Sequence, residues 1–203
     1  PNAMYVQMSN LNFPHHFLVM LLSISFLFII PCAFSLSFNI TSFDPNNKSI
    51  IYEGSANPVK PVIQLTRNEL DSIGRATYYQ PMHLWDKATG NVTDFTTHFS
   101  FVIDSRHRFR YGDGMAFFLA PAGLKIPNAT RGGSLGLTLD DQRLNSTDNP
   151  FVAVEFDIYR NPYDPPGEHV GIDINSLRSV ANVTWLADIK EGKLNEVGIS
   201  YNS

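Results

Sequence analysis

The chain is 203 residues long, with 17% charged and 12% aromatic residues, 13 glycines, 13 prolines and a formal net charge of −4. That length supports one substantial core rather than two comfortable domains. The acidic balance, with no basic patch interleaved with aromatics, argues against a nucleic-acid role.

The first element along the chain is a targeting segment. Phe17 to Ile30 is apolar, interrupted only by Ser23 and Ser25, and Ala33-Phe34-Ser35 offers small residues at the two positions a signal peptidase reads. Residues 1–35 read as an N-terminal extension and signal peptide cut after Ser35, too short for a membrane anchor. The expected location is secreted, or on the extracellular face of the plasma membrane. This segment contains Cys32, the only cysteine, and no Asp, Glu, Lys or Arg. The remaining domain, 36–203, therefore has no disulfide, and its stability must come from its core and from any metals it binds.

Short strand candidates follow: Ser37–Thr41, Val62–Thr66, His98–Ile103, Met115–Leu119, Val152–Asp157, Gly171–Ile174, Val183–Asp188 and Val197–Tyr201. Phe99, Phe101 and Ile103 alternate with His98, Ser100 and Val102, which predicts one core face. Turn signals separate the runs, as in an antiparallel all-β sandwich. Arg106-His-Arg-Phe-Arg110 reads as an exposed strand-end loop, and His83, His98 and His107 as ordinary strand or loop residues. Asn39, Asn47, Asn91, Asn128, Asn145 and Asn182 each have Ser or Thr two residues on; six such sequons in an exported chain predict a glycoprotein.

The chemistry concentrates in Val152-Ala-Val-Glu155-Phe-Asp157-Ile-Tyr159-Arg-Asn161-Pro-Tyr-Asp164-Pro-Pro-Gly-Glu-His169. On a strand Val152, Val154 and Phe156 face one way, and Ala153, Glu155 and Asp157 the other. Two acids on one face about 6.5–7 Å apart repel each other, and a divalent cation between them is the simplest remedy. Glu155, Asp157, Asp164 and His169 form a carboxylate-rich set with one imidazole, which suits manganese or another first-row divalent ion. Asp157, Asn161, Asp164 and a carbonyl near Tyr159 form an all-oxygen set, which suits calcium. Asp157 and Asp164 would bridge the two ions. Pro165 and Pro166 forbid helix and stiffen the return to His169.

This block resembles the metal-and-sugar loop of the legume lectins (L-type lectins), whose Glu, Asp, aromatic, Asn, Asp and His fall at offsets 0, 2, 4, 6, 9 and 14. Glu155, Asp157, Tyr159, Asn161, Asp164 and His169 fill every offset. Leu36–Phe43 is similar to the family's first strand, and Gly74–Tyr79 and Leu84-Trp85-Asp86 to its early strand pair. Phe95–Phe101, Gly112–Pro121 and Gly132–Leu137 follow in the family's order. The resemblance implies an all-β, concanavalin-like jelly-roll sandwich over 36–203, with further strands of the domain lying beyond residue 203. It implies structural calcium and manganese, non-catalytic binding of mono- or oligosaccharides and their glycoconjugates, and leaves room for a homo-oligomer of the full-length protein. By the same resemblance, Asp113 accepts hydrogen bonds from sugar hydroxyls and a backbone N–H at Gly133 donates. Asn161 contributes its amide, and Tyr159 stacks on the apolar face of the ring. That set matches what a sugar offers: paired hydroxyls and a C–H face. One departure stands out: the family usually has Ala before the sugar-binding Asp, joined by a cis peptide, and this chain has Gly112, whose freedom predicts a less firmly held Asp113.

Two other function classes share parts of this pattern. Jelly-roll sandwiches also host retaining glycosidases, whose paired acids stand about 5–5.5 Å apart. Here Arg160 occupies the position of the second acid after Glu155 and Asp157, which excludes that enzyme. The alternative binding role is a ligand-sensing ectodomain fragment of a membrane lectin receptor kinase, with any kinase activity in sequence not present here.

Overall fold

The computed structural model describes residues 35–185 and 191–202. Ten strands run along them in order: β1 (Ile50–Gly54), β2 (Asn57–Val59), β3 (Val62–Gln64), β4 (Gly74–Tyr78), β5 (Phe95–Asp104), β6 (Gly114–Leu119), β7 (Val152–Asp157), β8 (His169–Ile174), β9 (Ala181–Thr184) and β10 (Glu191–Tyr201). None of the described residues is in an α-helix, and no described helix is long and apolar enough to cross a membrane. The leader read over residues 1–35 lies, except for Ser35, outside the described residues, as do Leu186 to Asp188 of the predicted strand Val183–Asp188.

All pairing is antiparallel. The central sheet has the order β6-β7-β8-β9, while β5 pairs with β10, β1 with β4, and β2 with β3. Strand β7 keeps its predicted bounds because its alternation is unbroken by Gly or Pro. The predicted alternation in β5 also holds: Phe99, Phe101 and Ile103 are sheltered, and His98, Ser100 and Val102 are exposed. Phe99 meets Phe117 of β6 at a ring-centroid distance of 6.0 Å, and Phe99 and Phe101 meet Phe156 of β7 at 6.2 and 5.0 Å. Trp185 closes the cluster 5.6 Å from Phe156 and 6.0 Å from Phe101. This aromatic layer joins the β5/β10 pair to one face of the central sheet. Aromatic pairs at such separations contribute roughly 0.5–1.5 kcal/mol each beyond their buried area.

The other face of the central sheet follows from the same register. Ala116 lies opposite Glu155, Ala153 opposite Asp173, Glu155 opposite Gly171, and Asp157 opposite His169. At one end this face carries an apolar cluster of Leu137, Phe151, Ala153 and Leu177, and at the other it carries the acids. The connections over 120–149, 158–168 and 175–180 flank it. Arg75 of β4, buried, ties the first of these down: it donates to Leu124 O (2.9 Å) and Gly136 O (2.5 Å), and its Cζ sits 4.8 Å above the Phe118 ring.

Three expectations are corrected. Ser37–Thr41 is not a strand; it has no ladder partner among the described residues, and Phe38 instead stacks on Tyr78 (3.9 Å, 12°). Leu84-Trp85-Asp86 forms only an isolated bridge, Trp85 to Val92, because Asp86 turns the chain by accepting from Ala88 N and Thr89 N. Gly74–Tyr78 finds its partner earlier, in Ile50–Gly54.

Candidate functional site

The site is built where β7 ends and β8 begins. Glu155, Asp157 and His169 are buried at 1%, 4% and 1% exposure, and one ligand atom from each falls within 4.8 Å of the others. Glu155 Oε1 lies 3.1 Å from His169 Nε2 and accepts the Ser179 hydroxyl at 2.5 Å. Gly171 makes that reach feasible. It stands opposite Glu155, and a Cβ there would overlap Ser179 Oγ and lie 2.6 Å from Glu155 Oε1. Asp173, one pair further along the same face, is fully buried, and neither carboxyl oxygen has a hydrogen-bond partner among the described residues.

The electrostatics are those of buried carboxylates crowded together. Burial pushes the Asp157 carboxyl up to about 8; its Tyr159 N–H partner opposes the shift, and the Asp164, Glu155 and Asp113 carboxylates add to it. Burial and the neighbouring Glu155 also raise Asp173. A divalent cation among Glu155, Asp157 and His169 would relieve this repulsion, and carboxylates with one imidazole suit a first-row ion. The residues present therefore fit a metal.

Beyond β7 the loop closes on itself. Asp157 Oδ1 accepts Tyr159 N (2.6 Å), Asp164 Oδ2 accepts Asn161 N (2.5 Å), and Asn161 O accepts Asp164 N (3.1 Å). Asp164 thus stands beside Asp157 electrostatically but outside the Glu155–Asp157–His169 group. Tyr159 is 51% exposed, as an aromatic plate for a ligand must be.

A second loop arrives from the other side. Asp113 follows a cis Gly112–Asp113 peptide and is anchored by its carbonyl, which accepts Ile158 N at 2.9 Å. The glycine that departs from the family pattern has a local reason: a Cβ at Gly112 would be only 3.0 Å from Tyr159 Cβ. Gly132 and Gly133 lie in a short 3₁₀ turn (Gly132–Ser134). A Cβ on Gly132 would overlap Asp113 Oδ2. A Cβ on Gly133 would lie 3.1 Å from Asn161 Oδ1, 3.4 Å from Asp113 Oδ1 and 3.5 Å from Arg143 Cζ. The bare face of Gly133 is therefore where the metal loop, Asp113 and a guanidinium converge. Burial holds the Asp113 carboxyl above the usual range, with Arg143 opposing and Asp71 and Asp140 adding.

Four of these residues escaped the sequence reading. Tyr163 donates its hydroxyl to Gly133 O at 3.0 Å, pinning the glycine turn to the metal loop. Ser179, Asp173 and Gly132 complete the surroundings. Only the glycines carried a local signal, since a glycine inside a strand or loop often marks a close approach.

The antiparallel strands, the aromatic layer and the polar face opposite it define a concanavalin-like jelly-roll sandwich, with a buried cluster of two carboxylates and an imidazole at its loop end that could hold a cation. Residues 35–203 match the family described as the legume lectin domain, and the chain belongs to that family. It is 38% identical over 181 residues to Lectin 9 of Medicago truncatula and 42% identical over 178 residues to Agglutinin-2 of Cladrastis kentukea, 83% of the chain being covered in each case. The chain spans 65% and 60% of the length of those two relatives. Among solved structures, the lectin UEA-II complexed with galactose superposes with a TM-score of 0.74 at 41% identity, covering 83% of this chain and 72% of that one.

Proposed function

We propose that the protein binds carbohydrate, without catalysis, in a manner that depends on calcium and manganese. Glu155, Asp157, Asp164 and His169 would hold the transition-metal ion; Asp157, Asn161, Asp164 and the Tyr159 carbonyl would hold calcium. Bound cations supply charge neutralisation and fix the loop before a sugar arrives, so that little ordering cost remains at binding. The chain's own groups then do the recognising. Asp113 accepts sugar hydroxyls, the Gly133 N–H and the Asn161 amide donate, and the exposed ring of Tyr159 covers the apolar face of the pyranose.

The observation that carries this reading is the convergence at Gly133, where Asp113 and Asn161, 48 residues apart in sequence, bring their side-chain oxygens to one bare backbone face. Acceptor-only and donor-acceptor groups meet there beside an aromatic plate. The galactose complex of UEA-II supports the same class of ligand, because that lectin shares this fold at 41% identity. A hydrolytic role gains no support: Glu155 is engaged with His169 and Ser179, and Arg160 is exposed where a second acid would be required. The leader over residues 1–35 supports secretion as the route to the ligand. Subunit association would be a property of the full-length protein.

The test is calorimetric titration of a panel of neutral glycans into the protein expressed from its full native reading frame, with and without both metals. Binding only in the presence of metal is the expected result. A folded, metal-loaded protein that takes up no glycan would overturn the reading.

A further inference from the structure

Arg143 reaches the point where Asp113 and Asn161 converge, yet neither the metal-loop pattern nor the family resemblance gives it a role. Its Cζ lies 3.5 Å from the position a Gly133 Cβ would occupy, on the same side as the Asp113 and Asn161 oxygens. Two edges of its guanidinium are already fixed. Nε donates to Ser134 Oγ at 3.0 Å, and Nη2 is ion-paired with Asp140 Oδ1. Its backbone is seated as well, with its carbonyl accepting Leu177 N at 2.9 Å, and the adjoining Gln142 carbonyl accepts Asn149 Nδ2 at 2.7 Å. The remaining edge, Nη1, has no hydrogen-bond partner among the described residues.

A guanidinium has five N–H donors, accepts nothing and stays charged. The Arg143 side chain is 24% exposed, neither fully buried nor fully hydrated. Asp113 beside it offers only acceptors. A hydroxyl group is the ligand that satisfies both: its hydrogen goes to Asp113 and its oxygen receives Nη1–H. Asp140 is shared between Arg143 and Arg131, whose Nε lies 4.0 Å from its other oxygen, and Asp113 adds a second carboxylate beside Arg143, so the arrangement presents a directed donor rather than a field that attracts anions.

Resting on the carbohydrate reading, we propose that Arg143 is a further sugar-binding residue, its Nη1 edge donating to a hydroxyl oxygen of the same neutral saccharide whose hydroxyl hydrogen Asp113 accepts. The pinned Nε and Nη2 preorganise this donor, so it costs little ordering to use. Lysine cannot replace it, because one ammonium cannot hold Ser134 and Asp140 and also present a third, planar donor.

The experiment compares parent, Arg143→Met and Arg143→Lys in protein expressed from the full native reading frame and loaded with calcium and manganese. The probes are galactose, mannose, glucose, fucose and N-acetylgalactosamine, followed by monodeoxy derivatives of whichever sugar binds. Arg143→Met is expected to weaken binding roughly tenfold or more, the effect of losing a hydrogen bond from a charged donor. Arg143→Lys should fall between it and the parent, with metal content unchanged in both and both variants folded at the assay temperature. For the one deoxy sugar lacking the contacted hydroxyl, parent and Arg143→Met should bind alike. The proposal is overturned if Arg143→Met binds within twofold of the parent. Equal losses across all deoxy sugars, or loss of metal together with affinity, would also overturn it and leave Arg143 as a scaffold residue. A metal-loaded parent that binds no sugar on the panel sinks the carbohydrate reading itself, and the role of Arg143 with it.

Discussion

Gly171→Ala is the sharpest small perturbation of the site. The added methyl is the whole change, since Gly171 does not have a positive φ, and it lands against Ser179 Oγ and 2.6 Å from Glu155 Oε1. Glu155 can retreat only by giving up its 3.1 Å contact with His169 or the 2.5 Å bond from Ser179. Losing one hydrogen bond to a buried charged group costs about 1.5–3 kcal/mol. For a chain of this size, each kcal/mol moves Tm by about 2–4 °C. The expected fall is therefore roughly 3–12 °C in the metal-free protein. Disturbing groups that orient metal ligands typically lowers affinity about 10–100-fold, so manganese affinity should drop by that order. Differential scanning calorimetry after chelation and competitive metal titration read the two effects separately. A variant with the parent's Tm and metal affinity would refute the claim that Gly171 provides the space Glu155 occupies.

Asp157→Ala should lose both ions and all glycan binding, whereas Asn161→Ala should keep manganese and lose calcium and sugar; metal analysis by mass spectrometry with parallel calorimetry distinguishes them. The metal-free protein should lose stability as pH rises from about 4 towards 8. Asp157, with its folded pKa pushed up to about 8, binds a proton there that the unfolded chain does not. Chelated samples scanned at pH 5.5 and 8 should therefore show the higher Tm at 5.5, and equal values would contradict the burial argument. Arg75→Met leaves the carbonyls of Leu124 and Gly136 unpaired and should cost about 2–6 kcal/mol by denaturant titration, since each unsatisfied buried acceptor costs about 1–3 kcal/mol. Asn39, Asn91, Asn128 and Asn182 are exposed and should carry glycans in a eukaryotic host. Asn145, whose Nδ2 donates to Gln142 and Asp148, should be the sequon least occupied once folded. Site-resolved mass spectrometry after deglycosylation checks the order.

Legibility followed the range of the interactions. Strand β7 and its two faces were readable because a period of two is written locally, residue by residue, and Phe99 and Phe101 of β5 were readable for the same reason. The cluster of Glu155, Asp157 and His169 was readable because Glu155 to His169 is one continuous stretch whose residue types are otherwise hard to explain. Strand β1 was missed: Ile50-Ile51-Tyr52-Glu53 does not alternate cleanly, and its identity depends on β4 lying 20 or more residues away. Ser179 and Tyr163 were missed because their roles arise from chain return. Ser179 meets Glu155 across 24 residues and Tyr163 meets Gly133 across 30, and no local pattern records either meeting. Arg143 belongs to the same group, its guanidinium meeting Gly133 only after the chain has turned through Asp140.

The two faces of β7 tie folding fidelity to recognition. Phe156 enters the aromatic layer, while Glu155 and Asp157 on either side of it enter the cation cluster. A slip of one residue against β6 or β8 would exchange these sets, sending carboxylates into the hydrocarbon and a phenyl ring among the metal ligands. Misregistered molecules would thus forfeit the core and the acidic cluster together. The loops at 120–149 and 158–168 lie outside this register, so a change of length there would leave the pairing of β7 with β6 and β8 intact.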